Sequence, residues 1–150
     1  MQPSHAVEDM GWAEARLGPE RIRGAYAWRS LRKSGARLVF SSDLPATDYD
    51  IFYGMHSAIT RQDRDGKPAS GWYREQAMSP EEALRAFTSW AAYAEFDERH
   101  GGTLAPGMRA DITVMDIDPL VAAVSDPSSL LKGKVSFTVV GGRVISAAKR

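Results

Sequence analysis

The sequence predicts an α/β unit followed by a separate segment of β-strands. Residues 36–40 form an apolar run that follows a predicted helix after almost no loop, which is typical of the αβ half of an α/β unit. From residue 101 onward, β-branched runs at 110–116, 135–140 and 143–146 predict an all-β unit. The length of 150 residues, with 43% apolar and 25% charged residues, is typical of a globular domain.

Four helices are predicted before the β segment. They cover residues 7–17 with a break at Gly18 and Pro19, residues 20–33, a short stretch at 51–59, and residues 79 to about 98. Asp48 and Asp50 are expected in the N-terminal cap of the short helix. The last one has the clearest start, because Ser79 can cap it and Glu82 can complete a capping box. Residues 61–71 have turn composition, and Gly141-Gly142 predicts a two-residue hairpin between the last two strands.

Composition excludes several classes of function. The 19 basic and 19 acidic residues are mixed along the chain, so neither nucleic acid nor a membrane surface is expected as a partner. The absence of cysteine excludes disulfides and thiolate chemistry. No apolar run reaches the roughly 20 residues of a membrane span, and no signal peptide is recognised at the N-terminus. We therefore expect a cytoplasmic protein.

Asp43 is the strongest candidate for a metal ligand or a general base. It follows the predicted strand directly and opens a long loop, the position at which α/β enzymes place metal ligands and general bases. On spacing alone, a helix cap or turn aspartate is an equally good interpretation. His5 is either a substrate-side group or a solvated side chain. His56 is expected at the surface and His100 near a helix C-terminus, whereas Trp12, Trp28 and Trp90 are expected in the core.

Seven sequence stretches together resemble one enzyme family. They are MQPSH (1–5), GAYAWRSL (24–31), GARLVFSSD (35–43), AITR (58–61), SPEEALRAFT (79–88), GTLAPGMRADITVMD (102–116) and VVGGRV (139–144). In order and spacing this pattern is similar to the C-terminal part of the metal-dependent amidohydrolases, in the amidohydrolase-3 branch. The resemblance extends over essentially the whole chain.

The resemblance implies a fold of two parts. Residues 1–101 would be the C-terminal segment of a (β/α)8 TIM barrel, about its last two βα units, and residues 102–150 the C-terminal strands of a small β-sandwich. His5 would end barrel strand 7 and Asp43 strand 8. The family's HxH pair and its further histidine ligands have no counterpart here, so the chain is expected to begin within an element of a longer enzyme.

The implied function is hydrolysis of carbon–nitrogen bonds, of the amide or formamide type, by metal-activated water. Asp43 would be the catalytic residue and a ligand of one or two divalent ions, with zinc expected. His5, Arg61 and Trp72 would bind the small-molecule substrate, the last two from a lid-like loop at residues 44–78. The isolated chain is expected to be inactive and to need the missing N-terminal barrel portion or a homo-oligomer. The alternative is a non-catalytic homologue that acts as an interaction or oligomerisation module.

Overall fold

The computed structural model describes residues 1–148 and forms a helical layer followed by a small sheet. The α-helices are α1 (Pro3–Arg21), α2 (Trp28–Lys33), α3 (Ile51–Thr60), α4 (Pro80–Phe87), α5 (Ser89–Ala94) and α6 (Pro119–Ser125). Short 3-10 helices cover Ile22–Gly24, Arg74–Gln76 and Pro127–Lys132. The strands are β1 (Ile112–Met115), β2 (Val135–Val140) and β3 (Arg143–Ala147).

The first predicted helix is confirmed, and the second is wrong as a single element. Helix α1 continues past the predicted region, and its break lies at Gly18, whose φ of 73° lies outside the helical region. The predicted helix over residues 20–33 is divided into a 3-10 turn and α2. Ala25 is extended between them and Tyr26 has a φ of +49°, so the intrahelical hydrogen bonds cannot continue.

Helix α3 lies at the centre of the helical layer. Its predicted cap is confirmed, because the Asp50 side chain accepts hydrogen bonds from the backbone N–H groups of Phe52 and Tyr53. Residues 52–60 are buried throughout, and α3 packs against α1, α4, α6 and the last 3-10 helix. This central helix therefore carries much of the core.

The helix predicted from residue 79 to about 98 has the correct start but is divided in two. The Ser79–Glu82 capping box is present. At Thr88 the backbone leaves the helical region (φ −130°, ψ −96°), and the Thr88 hydroxyl donates to the Leu84 carbonyl at 2.8 Å. Such bonding of a threonine to the preceding turn favours a bend, so α4 ends there and α5 begins at Ser89.

The apolar run at 36–40 is extended but is not a strand of the sheet in the described chain, which corrects the predicted strand. Its contact is with the first residue instead. The Met1 ammonium donates to the Val39 carbonyl at 2.6 Å, and the Ser41 N–H donates to the Met1 carbonyl at 3.1 Å. This pair of bonds is the pattern that joins two parallel strands. Phe40 is buried beneath it, and its N–H donates to the Ala86 carbonyl.

The predicted strands and hairpin of the C-terminal segment are confirmed, with an order of β1-β2-β3 and antiparallel pairing throughout. Gly141 and Gly142 both have positive φ, as the tight turn between β2 and β3 requires. One row across the sheet contains Thr113, Thr138 and Ser146. The neighbouring rows are apolar, and β3 is exposed along its whole length.

The prediction that everything beyond residue 101 is β-structure is wrong. Helix α6 and a 3-10 helix lie between β1 and β2, and the sequence signal for them is Asp118 followed by Pro119, a helix cap and first-position proline. Ala122, Ala123 and Leu130 from this insertion belong to the same buried cluster as α3 and α4. The division of the chain at residue 101 stays a prediction.

The predicted core tryptophans have different environments. Trp28 is fully buried, and Trp90 packs partly buried against the core. Trp12 is 50% exposed, so its assignment to the core is wrong; it lies on an outward-facing side of α1, where Arg16 stacks on its ring. Among residues 1–148, no helix is long and apolar enough to cross a membrane.

Candidate functional site

The structure brings His5 and Asp43 together although they are far apart in sequence. His5 lies in the first turn of α1 and Asp43 directly follows the extended segment, and His5 Nε2 is 3.9 Å from Asp43 Oδ2. The His5 side chain is 26% exposed and that of Asp43 is 54% exposed. Both groups are therefore accessible, and they can interact by charge without a direct hydrogen bond.

Hydrogen bonds between the N-terminal residues and the loop after Asp43 hold this pair in place. Ser4 donates through its hydroxyl to Thr47 Oγ1 at 3.3 Å, and Thr47 in turn donates to the Ser42 carbonyl. The Gln2 side-chain amide donates to Ser41 Oγ at 3.3 Å. Together with the backbone bonds of Met1, these contacts fix the positions of the two segments that carry His5 and Asp43.

Asp43 has an unusual backbone conformation for a residue with a side chain. Its φ is +61°, in the left-handed region, which aspartate tolerates better than most residues but still at a cost. The Ala46 N–H donates to the Asp43 carbonyl at 2.7 Å, so a turn follows immediately. Strained residues are found preferentially at functional sites, and this outlier falls on the strongest candidate carboxylate.

A cleft of about 240 Å³ lies next to the His5–Asp43 pair. It is lined by Ser4, Ser41, Ser42, Asp48, Asp50, Ile51, Gly54 and Phe87. Ser4 and Ser42 are the chain neighbours of His5 and Asp43, so the cleft adjoins the two candidate residues. Sequence reasoning did not identify the lining serines or Phe87, because their joint placement depends on contacts between distant segments.

Arg64 pairs with two carboxylates that line the cleft, and it was not identified from the sequence. Its guanidinium bridges two carboxylates, with Nη1 at 3.1 Å from Asp50 Oδ2 and Nη2 at 3.2 Å from Asp48 Oδ2. The same guanidinium lies 4.0 Å from the centre of the Tyr53 ring. The expected role of Asp50 in capping α3 is confirmed, and Asp48 supports it by accepting the Asp50 N–H.

Arg61 and Trp72, the predicted substrate-binding residues of the loop, lie together and are buried. Arg61 is 0% exposed and Trp72 is 7% exposed. Arg61 Nε donates to the Trp72 carbonyl at 2.8 Å and Nη1 to the Tyr26 carbonyl at 3.2 Å. The guanidinium stacks on Trp28 and Trp72, at 4.3 and 5.2 Å from their ring centres.

The buried cluster around Arg61 is separate in its bonding from the His5–Asp43 pair. Trp72 Nε1 donates to Glu14, and no hydrogen bond within residues 1–148 joins Arg61 or Trp72 to His5 or Asp43. Burial lowers the pKa of Arg61 to about 10, which leaves it charged at neutral pH. Its contacts close the loop that begins after α3, and its role in substrate binding stays a prediction.

The other two histidines differ from each other. His56 is buried at 2% exposure on α3, so its assignment to the surface is wrong; α3 is surrounded by other helices, and no outward face remains at that position. Burial lowers its pKa, and a hydrogen bond to the Thr60 hydroxyl is within reach at 3.4 Å. His100 lies in the turn after α5, with Nδ1 3.1 Å from Asp97.

The described residues do not form a complete metal site. Within residues 1–148, no group of three or more histidine, aspartate or glutamate side chains is placed to hold a metal ion. Asp43 and His5 supply at most two ligands, whereas divalent ions in proteins usually take three or more. The arrangement is therefore a carboxylate–imidazole pair beside a cleft.

The chain belongs to the amidohydrolase family, whose model matches residues 1–146. It is 28% identical over 145 residues to the Bacillus subtilis (strain 168) protein YtcJ, an amidohydrolase by name; the match covers 97% of this chain and 27% of YtcJ. It is 31% identical over 98 residues to the N-substituted formamide deformylase of Arthrobacter pascens, covering 65% of this chain and 18% of that enzyme.

Among solved structures, the chain is similar to an uncharacterized metal-dependent hydrolase from Pyrococcus horikoshii OT3. The TM-score is 0.69 and the identity 31%, over 81% of this chain and 24% of that one. The chain thus spans about a quarter or less of the length of the relatives it matches. The similarity therefore covers only a short stretch of each relative.

Proposed function

We propose that the chain is the C-terminal part of a metal-dependent amidohydrolase that hydrolyses carbon–nitrogen bonds in small amide- or formamide-type substrates. Residues 1–101 would form about the last two βα units of its TIM barrel, and residues 102–150 the C-terminal strands of its β-sandwich. Asp43 is the proposed catalytic carboxylate and metal ligand, and His5 a substrate-side group. The location we propose is cytoplasmic.

One observation carries the proposal. The backbone of Met1 bonds to Val39 and Ser41 in the pattern of parallel strands, and this contact brings the first turn of α1, with His5, beside Asp43. In a TIM barrel, catalytic groups come from the carboxyl ends of adjacent parallel strands. The family match over residues 1–146 and the names of the relatives support hydrolysis of an amide-type bond.

The metal ion would need further ligands from outside this chain. In metal-dependent hydrolases a divalent ion, here proposed to be zinc in one or two positions, makes bound water nucleophilic near neutral pH. Asp43 is suited to contact such an ion and to accept a proton, because it is exposed and offers two hard oxygen atoms. The remaining ligands would belong to the missing N-terminal barrel portion or to another copy.

A chimera tests this function. The segment of YtcJ that matches this chain, 27% of its length, would be replaced by residues 1–150. Metal content and hydrolysis of an N-substituted formamide would be measured with and without Asp43→Asn. We expect metal-dependent turnover that the substitution lowers at least a hundredfold, and no turnover by the isolated chain. Asp65→Asn, an exposed carboxylate in the 61–71 turn, is the matched control. Full activity of the Asp43→Asn chimera would contradict the proposal.

A second candidate function is favoured by the exposed apolar residues of the sheet. Phe137, Val140, Val144 and Ile145 are between 45% and 64% exposed. Phe137 and Val144 belong to two apolar rows on one face of the sheet, and exposed apolar surface of this kind is typical of contact regions. A non-catalytic role as an interaction or oligomerisation module would give a single, metal-independent oligomer in sedimentation velocity runs at several concentrations.

A further inference from the structure

The cleft beside the His5–Asp43 pair is lined by both apolar and polar residues. Ile51 and Phe87 provide apolar surface, and the hydroxyl-bearing residues Ser4, Ser41 and Ser42 lie on the side of the candidate carboxylate. Its volume of about 240 Å³ is below the ~300–1,000 Å³ of pockets for drug-sized ligands. The cleft is therefore suited to one part of a small molecule.

The two carboxylates in the lining are already engaged by the protein. Asp48 accepts the Asp50 N–H on Oδ1 and pairs with Arg64 through Oδ2. Asp50 accepts two backbone N–H groups of α3 on Oδ1 and pairs with Arg64 through Oδ2. Arg64 and the positive end of the α3 dipole offset part of their charge, so both carboxylates of the lining are already paired within the protein.

Gly54 and Phe87 together set the depth of the cleft. A Cβ atom at Gly54 would lie 2.9 Å from Phe87 Cζ, closer than ordinary packing permits. The Phe87 ring also packs against Phe40, with ring centres 5.6 Å apart. A side chain at position 54 would therefore crowd the Phe87 ring and change the lining of the cleft, whereas a smaller residue at position 87 would enlarge the cleft.

We propose that this cleft is the subsite for a short, uncharged, apolar substituent of the amide substrate, with its size limit set by Gly54 and Phe87. This inference rests on the proposed function, because it treats the bound ligand as a substrate. The binding preference itself depends only on the residues that line the cleft. Ser4 and Ser42 would lie next to the amide group, since they are the chain neighbours of His5 and Asp43. The predicted ligand class is a small N-alkyl amide.

An NMR titration of the 150-residue chain measures this preference directly. Three probes of similar size and different charge are N-butylformamide, butylammonium and butyrate. We expect N-butylformamide to shift the backbone amide signals of Ser42 and Gly54, with a dissociation constant at least tenfold lower than those of the two ions. Tighter binding of butylammonium, equal binding of all three probes, or no shift at all would overturn the proposal.

Two substitutions test the size limit. Gly54→Ala should weaken N-butylformamide binding at least tenfold, and Gly11→Ala in α1, where an added Cβ meets no atom within 4 Å, should leave it unchanged. If Gly54→Ala does not fold, Phe87→Leu tests the same size limit from the other residue. Its larger cleft should improve the binding of N-benzylformamide relative to N-butylformamide at least fivefold, and an unchanged ratio would overturn the assignment.

The titration is independent of turnover. Failure of the chimera to hydrolyse a formamide would contradict the proposed function while leaving the measured preference of the cleft intact. Conversely, an active chimera combined with tighter binding of butylammonium by the chain would retain the hydrolase function and refute the uncharged subsite. The two proposals can therefore fail separately.

Discussion

Replacing Glu82 by glutamine should destabilise the chain strongly at neutral pH. Glu82 faces Arg29 in a two-pronged ion pair, with distances of 3.0 Å for Nη1 to Oε1 and 2.7 Å for Nη2 to Oε2. Its Oε2 also accepts the Ser79 N–H of the capping box at 3.0 Å. The side chain is 20% exposed, so solvent screens these interactions only in part.

The size of the effect follows from the carboxyl pKa. Burial alone would raise it, but the hydrogen bonds from Arg29 and Ser79 outweigh burial and lower the pKa of Glu82 from 4.5 to about 2. At about 1.4 kcal/mol per pKa unit, the folded state favours the carboxylate by about 3 kcal/mol. Because glutamine keeps the shape and can still accept the Ser79 N–H, we expect Glu82→Gln to lose about 2–3 kcal/mol at pH 7.

The dependence on pH has a definite sign. A carboxyl group whose pKa is lowered on folding stabilises the protein above its unfolded pKa, and this contribution is lost as the pH falls through the folded value. The difference between wild type and Glu82→Gln should therefore be largest above about pH 5 and shrink towards pH 2. Urea unfolding followed by tryptophan fluorescence, at pH values from 7 to 3, measures it.

A neighbouring residue on the same helix provides the control. Glu81 forms an ion pair with Arg85 at 2.7 Å, but its side chain is 67% exposed. Exposed pairs of this kind contribute less than about 0.5 kcal/mol, so Glu81→Gln should remain close to wild type at every pH. The reasoning is refuted if Glu82→Gln stays within 0.5 kcal/mol of wild type at pH 7, or if its deficit does not change with pH.

Two further predictions concern His56, which is buried in the helical layer, and Gly133, which packs against Phe52. Because burial lowers the pKa of His56, protonation favours the unfolded chain below about pH 6.5, and His56→Gln should flatten the loss of stability between pH 7 and 5 in urea titrations. An unchanged slope would contradict this. Gly133→Ala places a Cβ 2.6 Å from the Phe52 ring and should lower the free energy of unfolding by about 1–3 kcal/mol, measured by thermal melts. Gly11→Ala, where an added Cβ meets no atom within 4 Å, is the control and should not lower it. Equal melting temperatures of the two variants would refute the close contact.

Local signals in the sequence identified the elements whose ends are set by neighbouring residues. The capping box at Ser79, the cap at Asp50 and the glycine pair of the hairpin each act over a few positions, and all three are present. The prediction of a single helix over residues 20–33 was wrong because its end is set by a distant residue. Its continuation depends on Tyr26, which adopts a positive φ while its hydroxyl donates to Asp9 on α1.

The candidate site was only partly accessible from the sequence. The position of Asp43 after an apolar run predicted a catalytic or metal-binding carboxylate. The structure places His5 next to it. Arg64 and Phe87 had no such signal, because an arginine in a turn and a phenylalanine in a helix acquire a role only through distant partners. The same limit explains His56, whose burial depends on the helices packed around α3.

The buried guanidinium of Arg61 has a consequence for how the chain folds. Its buried Nη1 and Nε groups find their hydrogen-bond acceptors in the Tyr26 carbonyl, 35 residues earlier, and the Trp72 carbonyl, 11 residues later. The loop after α3 therefore cannot reach its final form until the turn at Tyr26, which precedes α2, is in place. We expect these segments to gain protection from hydrogen exchange together, as one cooperative unit that includes both flanks of α3.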